Sequence, residues 1–183
     1  SDLGFVISEG AGCVILATRA FADAHGLKYA IEIAGSSMNS DAHHYVAPYL
    51  RTVAACMAGS IDDAGISTQN IASVNAHAAS TKIGDMVEYQ ALKALFGDRI
   101  PPVTANKSMI GHAMGASSAI ETIFAMEGMF RGIVLPTINY TPDPELVLDC
   151  VHEGARRIQQ EFVLKNSFGF GGCNACMVLH RIA

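Results

Sequence analysis

The segment Ile71-Ala72-Ser73-Val74-Asn75-Ala76-His77-Ala78-Ala79-Ser80-Thr81 begins as a short buried strand and then turns small and polar around a histidine. A helix is expected after it, over Asp85 to Phe96, closed by Gly97. The same order returns at once. Pro102 to Ala105 reads as a second short strand, Asn106-Lys107-Ser108-Met109-Ile110-Gly111-His112 as a loop, and Ala113 to Phe130 as a long helix. Strand, loop and helix in repeated succession imply an α/β fold with a mostly parallel mixed sheet flanked by helices. In such a sheet, ligands bind beyond the C-terminal ends of the strands, so both loops deliver their histidines to one edge. Either histidine alone is as well explained as an ordinary, satisfied imidazole. Two in matching positions, with Lys107 five residues before the second, make a site.

Outward from these loops the pattern stays α/β. Phe5 to Ala17 reads as a strand with a flexible or closely packed centre at Gly10 and Gly12. Thr18 caps a short helix, Arg19 to His25, ended by Gly26, and Tyr29 to Ala34 is a further strand. Tyr49 to Ala64 follows Pro48 with apolar residues at helical spacing and stops at Gly65. Phe162 to Leu164 and Ala175 to Leu179 are late strands around a glycine-rich turn. The Ala113–Phe130 helix is apolar or small on every side, which requires burial. With no repeat, low-complexity tract or linker, residues 1–183 read as one domain.

Composition narrows the function. Half of the 183 residues are hydrophobic and 16% are charged, as in a well-buried globular chain. A net charge of −5 and a pI near 5.7 argue against nucleic acid as a partner. No apolar run approaches the roughly 20 residues needed to span a bilayer, so no membrane is expected. Ser1-Asp2-Leu3-Gly4 is neither a signal peptide nor a start with methionine, and reads as an interior cut or a processed or cloned start. Five cysteines, an odd number, point away from a disulfide scaffold and towards a cytoplasmic location.

The third chemistry-bearing loop is Asn166-Ser167-Phe168-Gly169-Phe170-Gly171-Gly172-Cys173-Asn174. Its alternating glycines and phenylalanines let backbone approach a ligand while rings shape a pocket. Val74-Asn75-Ala76-His77, Lys107 to His112 and Asn166 to Gly172 closely resemble three signatures of the β-ketoacyl-[acyl carrier protein] synthases of the fatty-acid elongating and polyketide types. Gly4 to Gly12 and Leu135-Pro136-Thr137-Ile138-Asn139 resemble two more. The resemblance covers essentially the whole chain and corresponds to the C-terminal half of a thiolase-like fold.

That resemblance implies a decarboxylative Claisen condensation. A cysteine takes an acyl chain from an acyl carrier protein. Malonyl carrier protein then loses carbon dioxide, and its carbanion attacks the thioester. On this basis His77 and His112 donate to the developing enolate oxygen, and Lys107 supports them electrostatically with Glu88 as its acidic partner. The N–H of Phe170 supplies one arm of an oxyanion hole, and its ring gates the acyl pocket. Phe168, Gly169 and Gly171 shape that pocket, and Thr81 contacts the pantetheine arm. Glu121, in the middle of an apolar helix, needs either donors or a cation. Asn75 and Asn166 match positions near a structural monovalent-cation site in relatives, and no other cofactor or metal is expected. The nucleophilic cysteine belongs upstream of Ser1. The partners implied are acyl carrier protein bearing acyl or malonyl phosphopantetheine, the N-terminal half of the synthase, and a second copy in a homodimer. The chain alone is expected to be inactive in condensation.

One loop departs from the family. Relatives usually read histidine-glycine-threonine where this chain has His77-Ala78-Ala79. Ala79 cannot make the threonine's hydrogen bond to pantetheine, and Ala78 opposes any backbone conformation reserved for glycine. These changes favour a rival reading, a non-catalytic partner of the chain-length-factor kind; the retained histidines and Lys107 oppose it. An inactive isolated fragment is the third reading. Cys173-Asn174-Ala175-Cys176 has redox or zinc spacing but lacks a second pair. His43-His44 beside Asp41 reads as a solvated loop, and Cys13 and Cys56 read as small core residues.

Overall fold

A computed structural model describes residue 4 and residues 6–182. Its main sheet has five strands in the order β1-β7-β6-β2-β3: β1 (Ile31–Ser40), β2 (Ile71–Asn75), β3 (Val103–Thr104), β6 (Phe162–Gly169) and β7 (Cys173–Arg181). β2 runs parallel to both β3 and β6, whereas β7 is antiparallel to β6 and β1. The sheet is therefore mixed in equal parts: two parallel pairings carry the histidine loops, and a β6–β7 hairpin carries the glycine-rich turn. A small ribbon joins β4 (Ile133–Val134) to β5 (Arg156–Arg157).

Alternation along the strands sorts the core into two faces. Leu164, Cys176 and Val178 pack with Val53, Cys56 and Met57 of α2 (Leu50–Asp63) and with Ala91 and Leu92 of α3 (Lys82–Phe96). Their neighbours Val163 and Leu179 point the other way, against Ala125 and Met129 of α5 (Ser117–Arg131). The result is a helix–sheet–helix sandwich with the strand ends that matter at one edge. Gly35 permits this packing, since an added Cβ would lie 2.3 Å from the Ala64 nitrogen of α2. Short helices α1 (Arg19–Ala24) and α4 (Lys107–Ile110) complete the α-helices of the described residues.

Two expected elements differ. The helix expected from Ala113 starts at Ser117, because Met114 takes a φ of 50° and Met114–Ala116 form a single 3-10 turn. Among the described residues of the expected Phe5–Ala17 strand, only an isolated parallel bridge forms, between Ile7 and His112. The segment is extended but finds no strand to lie along. Ile15 is consequently 92% exposed and Leu16 70%. Of the two expectations for its centre, close packing holds: a Cβ on Gly12 would meet the Ile120 nitrogen of α5 at 2.9 Å.

Candidate active site at the strand ends

β2 ends at Asn75, and the chain turns so that His77 faces His112, which follows the short helix after β3. Their rings lie edge to face with centroids 5.7 Å apart. Both line a cavity of about 350 Å³ together with Ala79, Thr81, Phe168 and Phe170. The Phe168 ring packs edge-on against His77 at 5.6 Å. The strand ends thus bring together the residues that the sequence assigned to one site.

Each imidazole is fixed from behind. Met114 N–H donates to His112 Nδ1 at 3.1 Å, and Ser117 Oγ lies 3.1 Å from the same nitrogen. The backbone N–H can only donate, so Nδ1 accepts and the ring proton of His112 sits on Nε2. For His77 the partner is Lys107, whose Nζ is 3.5 Å from Nδ1 and donates to the His77 carbonyl oxygen at 2.6 Å. An ammonium only donates, which again places the imidazole proton on Nε2. Burial, and then the neighbouring Lys107, lower the His77 pKa to about 2. The same two causes lower that of His112. At neutral pH both rings are neutral Nε2–H donors.

Segment 6–8 adds a further hold on His112: His112 N–H donates to the Val6 carbonyl at 2.7 Å, and Ser8 N–H donates to the His112 carbonyl at 3.0 Å.

The acidic partner of Lys107 is not Glu88. Lys107 Nζ lies 2.5 Å from Glu121 Oε1, a charge pair outside hydrogen-bond alignment. Glu88 instead accepts the N–H groups of His77 and Ala78 at 2.9 and 2.8 Å and the Asn166 amide at 3.0 Å. It sits nearly two helical turns into α3, against the histidine loop, and so fixes the loop's main chain rather than the lysine. Glu121 has a second cation, Lys165, whose Nζ donates to Oε2 at 2.9 Å and to the Asn166 carbonyl at 2.5 Å.

Lys165 was absent from the sequence reading, although a charged residue directly after the buried run Phe162 to Leu164 was a usable signal. Asn75 donates to Asn106 Oδ1 at 2.6 Å, while its own Oδ1 and that of Asn166 are buried without a hydrogen-bond partner. Among the described residues no three His, Cys, Asp or Glu side chains form a metal-binding group.

Around the cavity mouth, Thr81 Oγ1 caps α3 by accepting Gly84 N–H at 3.2 Å, and the side chain still lines the cavity. Ala79 and His112 also line a second cavity of about 540 Å³, so they stand between the two spaces. Ala78 takes a φ of 32°, the strained region its Cβ was expected to oppose.

The turn at Phe170 is clamped by a loop whose role the sequence hid. Asp41 N–H donates to the Gly172 carbonyl, Gly171 N–H to the Tyr45 carbonyl, both at 2.8 Å, and the Tyr45 ring stacks on Phe170. Asp41 is buried, whereas His43 and His44 are exposed, as a solvated loop requires. Cys173 and Cys13 are exposed and Cys56 and Cys176 buried, so Cys13 is not a core residue.

Comparison with known proteins settles the family. Residues 29–141 match the beta-ketoacyl synthase, C-terminal domain. The chain belongs to the β-ketoacyl synthase family. It is 38% identical over 184 residues to the 3-oxoacyl-[acyl-carrier-protein] synthase 2 of Coxiella burnetii, covering 98% of this chain and 44% of that protein. Among solved structures, the ishigamide ketosynthase/chain length factor superposes with a TM-score of 0.94 at 35% identity, over 98% of this chain and 45% of that one. A type II PKS acyl-carrier protein in complex with its ketosynthase superposes with a TM-score of 0.92 at 33% identity, over 98% and 45%. This β-ketoacyl synthase domain thus has the thiolase-like fold and spans less than half the length of these relatives. Among its described residues, no helix is long and apolar enough to cross a membrane.

Proposed function

We propose that this domain supplies the decarboxylation half-site of a 3-oxoacyl-[acyl carrier protein] synthase. The observation that carries the reading is that His77 and His112 line one cavity, each with its Nδ1 engaged from behind by Lys107 or Met114 N–H, which leaves Nε2 of both rings to donate. When the bond between the malonyl α-carbon and its carboxylate breaks, carbon dioxide leaves and the electron pair moves onto the thioester oxygen as an enolate. Two N–H donors held in advance at that oxygen stabilise the charge without reorganising. The carbanion then attacks an acyl thioester on a cysteine, and the thiolate is released.

None of this chain's cysteines lines the cavity. The reading therefore takes the nucleophile from a segment outside the chain, an N-terminal half that also covers the exposed run around Ile15. Phe170 N–H serves the acyl-transfer oxyanion, and the Phe170 ring gates the pocket. Malonyl and acyl carrier proteins are the proposed partners, with a homodimer as the proposed assembly.

The test is release of carbon dioxide from malonyl carrier protein by the protein carrying this domain. His77→Ala and His112→Ala should each lower the rate by about 10²–10³-fold, the cost of removing one such donor. Unchanged rates in both variants would remove the assignment. A chain-length-factor-like partner is favoured by Ala78 and Ala79 and is compatible with the likeness to the ishigamide ketosynthase/chain length factor. That reading predicts no decarboxylation by the unaltered protein.

A further inference from the structure

The cation expected near Asn75, Asn166 and Glu121 has a counterpart in the chain itself. We propose that the ammonium of Lys165 is the resident cation of this site, so that the domain neither needs nor binds a monovalent metal ion there. Lys165 and Glu121 each have a side chain only 1% exposed. Asn75 lies opposite Lys165 in the parallel register of β2 and β6, on the face that α5 covers. The ammonium is thus delivered from the central strand to the place where oxygens from β2, β6 and α5 gather.

Ligand accounting and charge accounting agree. Both carboxylate oxygens of Glu121 are taken, Oε1 by Lys107 and Oε2 by Lys165, and the Asn166 carbonyl also accepts from Lys165. Of the side-chain oxygens gathered here, the two without a hydrogen bond or a cation are amide oxygens, Asn75 Oδ1 and Asn166 Oδ1. Two neutral side-chain oxygens are a poor share of the six or so oxygens that a hard cation collects. The buried charges of Glu88, Glu121, Lys107 and Lys165 already sum to zero. A metal ion added beside them would be an uncompensated buried charge.

A tethered ammonium differs from a bound ion in that it cannot exchange with solvent. Melting of the protein carrying this domain, measured in KCl, NaCl, LiCl and choline chloride at one ionic strength, should agree within about 1 °C, since nothing that binds the folded state varies. Dialysis into thallium(I) acetate followed by elemental analysis should find no stoichiometric thallium. Lys165→Met keeps most of the volume and removes the charge, and should lower the melting temperature by about 5 °C or more in every salt. Lys165→Ser should bind one thallium ion per chain and melt higher in KCl than in choline chloride. A potassium-specific rise in melting temperature of the unaltered protein, or one thallium ion per unaltered chain, would overturn the proposal. So would a Lys165→Met variant as stable as the parent. The salt series and thallium count use the unaltered protein, so they decide the matter even where a variant does not fold.

Discussion

Lys107 holds His77 twice, through the main-chain carbonyl at 2.6 Å and through the ring Nδ1 at 3.5 Å. The second contact sets the tautomer of the imidazole: an ammonium cannot accept, so Nδ1 must. Lys107→Met removes that constraint and one of the two counter-charges of Glu121. Decarboxylation of malonyl carrier protein should then fall by about 10–10²-fold in kcat, in line with loss of a preorganised donor, with KM little changed. Nitrogen-15 NMR of the His77 ring should show mixed Nδ1–H and Nε2–H forms in the variant and only Nε2–H in the parent. A pure Nε2–H spectrum in the variant would show that Lys107 does not set the tautomer.

The pH dependence of stability has two opposed contributions. Burial lowers the His77 pKa to about 2 from an ordinary value near 6.5, so the unfolded state binds the proton more tightly. The neutral ring's stabilisation is fully present above about pH 6.5 and is lost as the pH falls from there, by up to about 1.4 kcal/mol per pH unit. Asp85 works the other way: burial, and then the Glu88 charge, raise its pKa to about 6. Its contribution favours the folded state below an unfolded pKa near 4 and disappears as the pH rises through 6. Asp85→Asn should therefore stabilise the protein by about 1–2 kcal/mol at pH 7.5, a gain that vanishes near pH 4. Urea melts at pH 4, 5, 6 and 7.5 check this; an equal gain at every pH would place the effect in packing.

Ala78 carries strain that Glu88 of α3 holds in place. Glu88 binds the N–H groups of both His77 and Ala78, which pins the peptide between them and leaves Ala78 at φ 32°. Ala78→Gly should relieve about 1 kcal/mol, net of the extra entropy glycine has when unfolded. The melting temperature should rise by about 2–4 °C. Comparison with Ala79→Gly, whose φ is not in the left-handed region, separates the local strain from a general effect of glycine.

How much of this was legible follows from what each signal depends on. The strand–loop–helix order around His77 and His112 is local, and every such element from β2 onward is present with ends shifted by a few residues. The Phe5–Ala17 strand failed because a strand needs a neighbour, and its residues 6–17 have only the bridge at Ile7. Partner choice inside the buried cluster was not local either. Glu88 and Glu121 both lie on helices beside the site, and only the stacking of α5 on β6 shows that the second meets Lys107 and Lys165. Asp41 sat in a loop that looked solvated because two histidines follow it; its burial comes from β7, far along the chain.

That buried carboxylate yields the last expectation. Asp41 accepts from Asn174 Nδ2 at 2.6 Å, from Thr52 Oγ1 at 2.5 Å and from Tyr49 N–H at 2.9 Å. Its main chain meanwhile accompanies the Gly172 turn so closely that a Cβ on Gly172 would lie 2.6 Å from Asp41 Cβ. Asp41→Ala leaves the Tyr49 N–H without its carboxylate and takes one of two acceptors from the Thr52 hydroxyl and from the buried Asn174 amide, which keep the Tyr49 carbonyl and Asn39 Oδ1. The loss should be about 1–3 kcal/mol in urea unfolding, the cost of leaving one buried donor unsatisfied. Because Tyr45 stacks on Phe170 from the same loop, the turn should also loosen. Amide exchange at residues 170–172 should accelerate by more than the global destabilisation accounts for. Exchange that merely tracks global stability would mean that the loop supports the fold without clamping the turn.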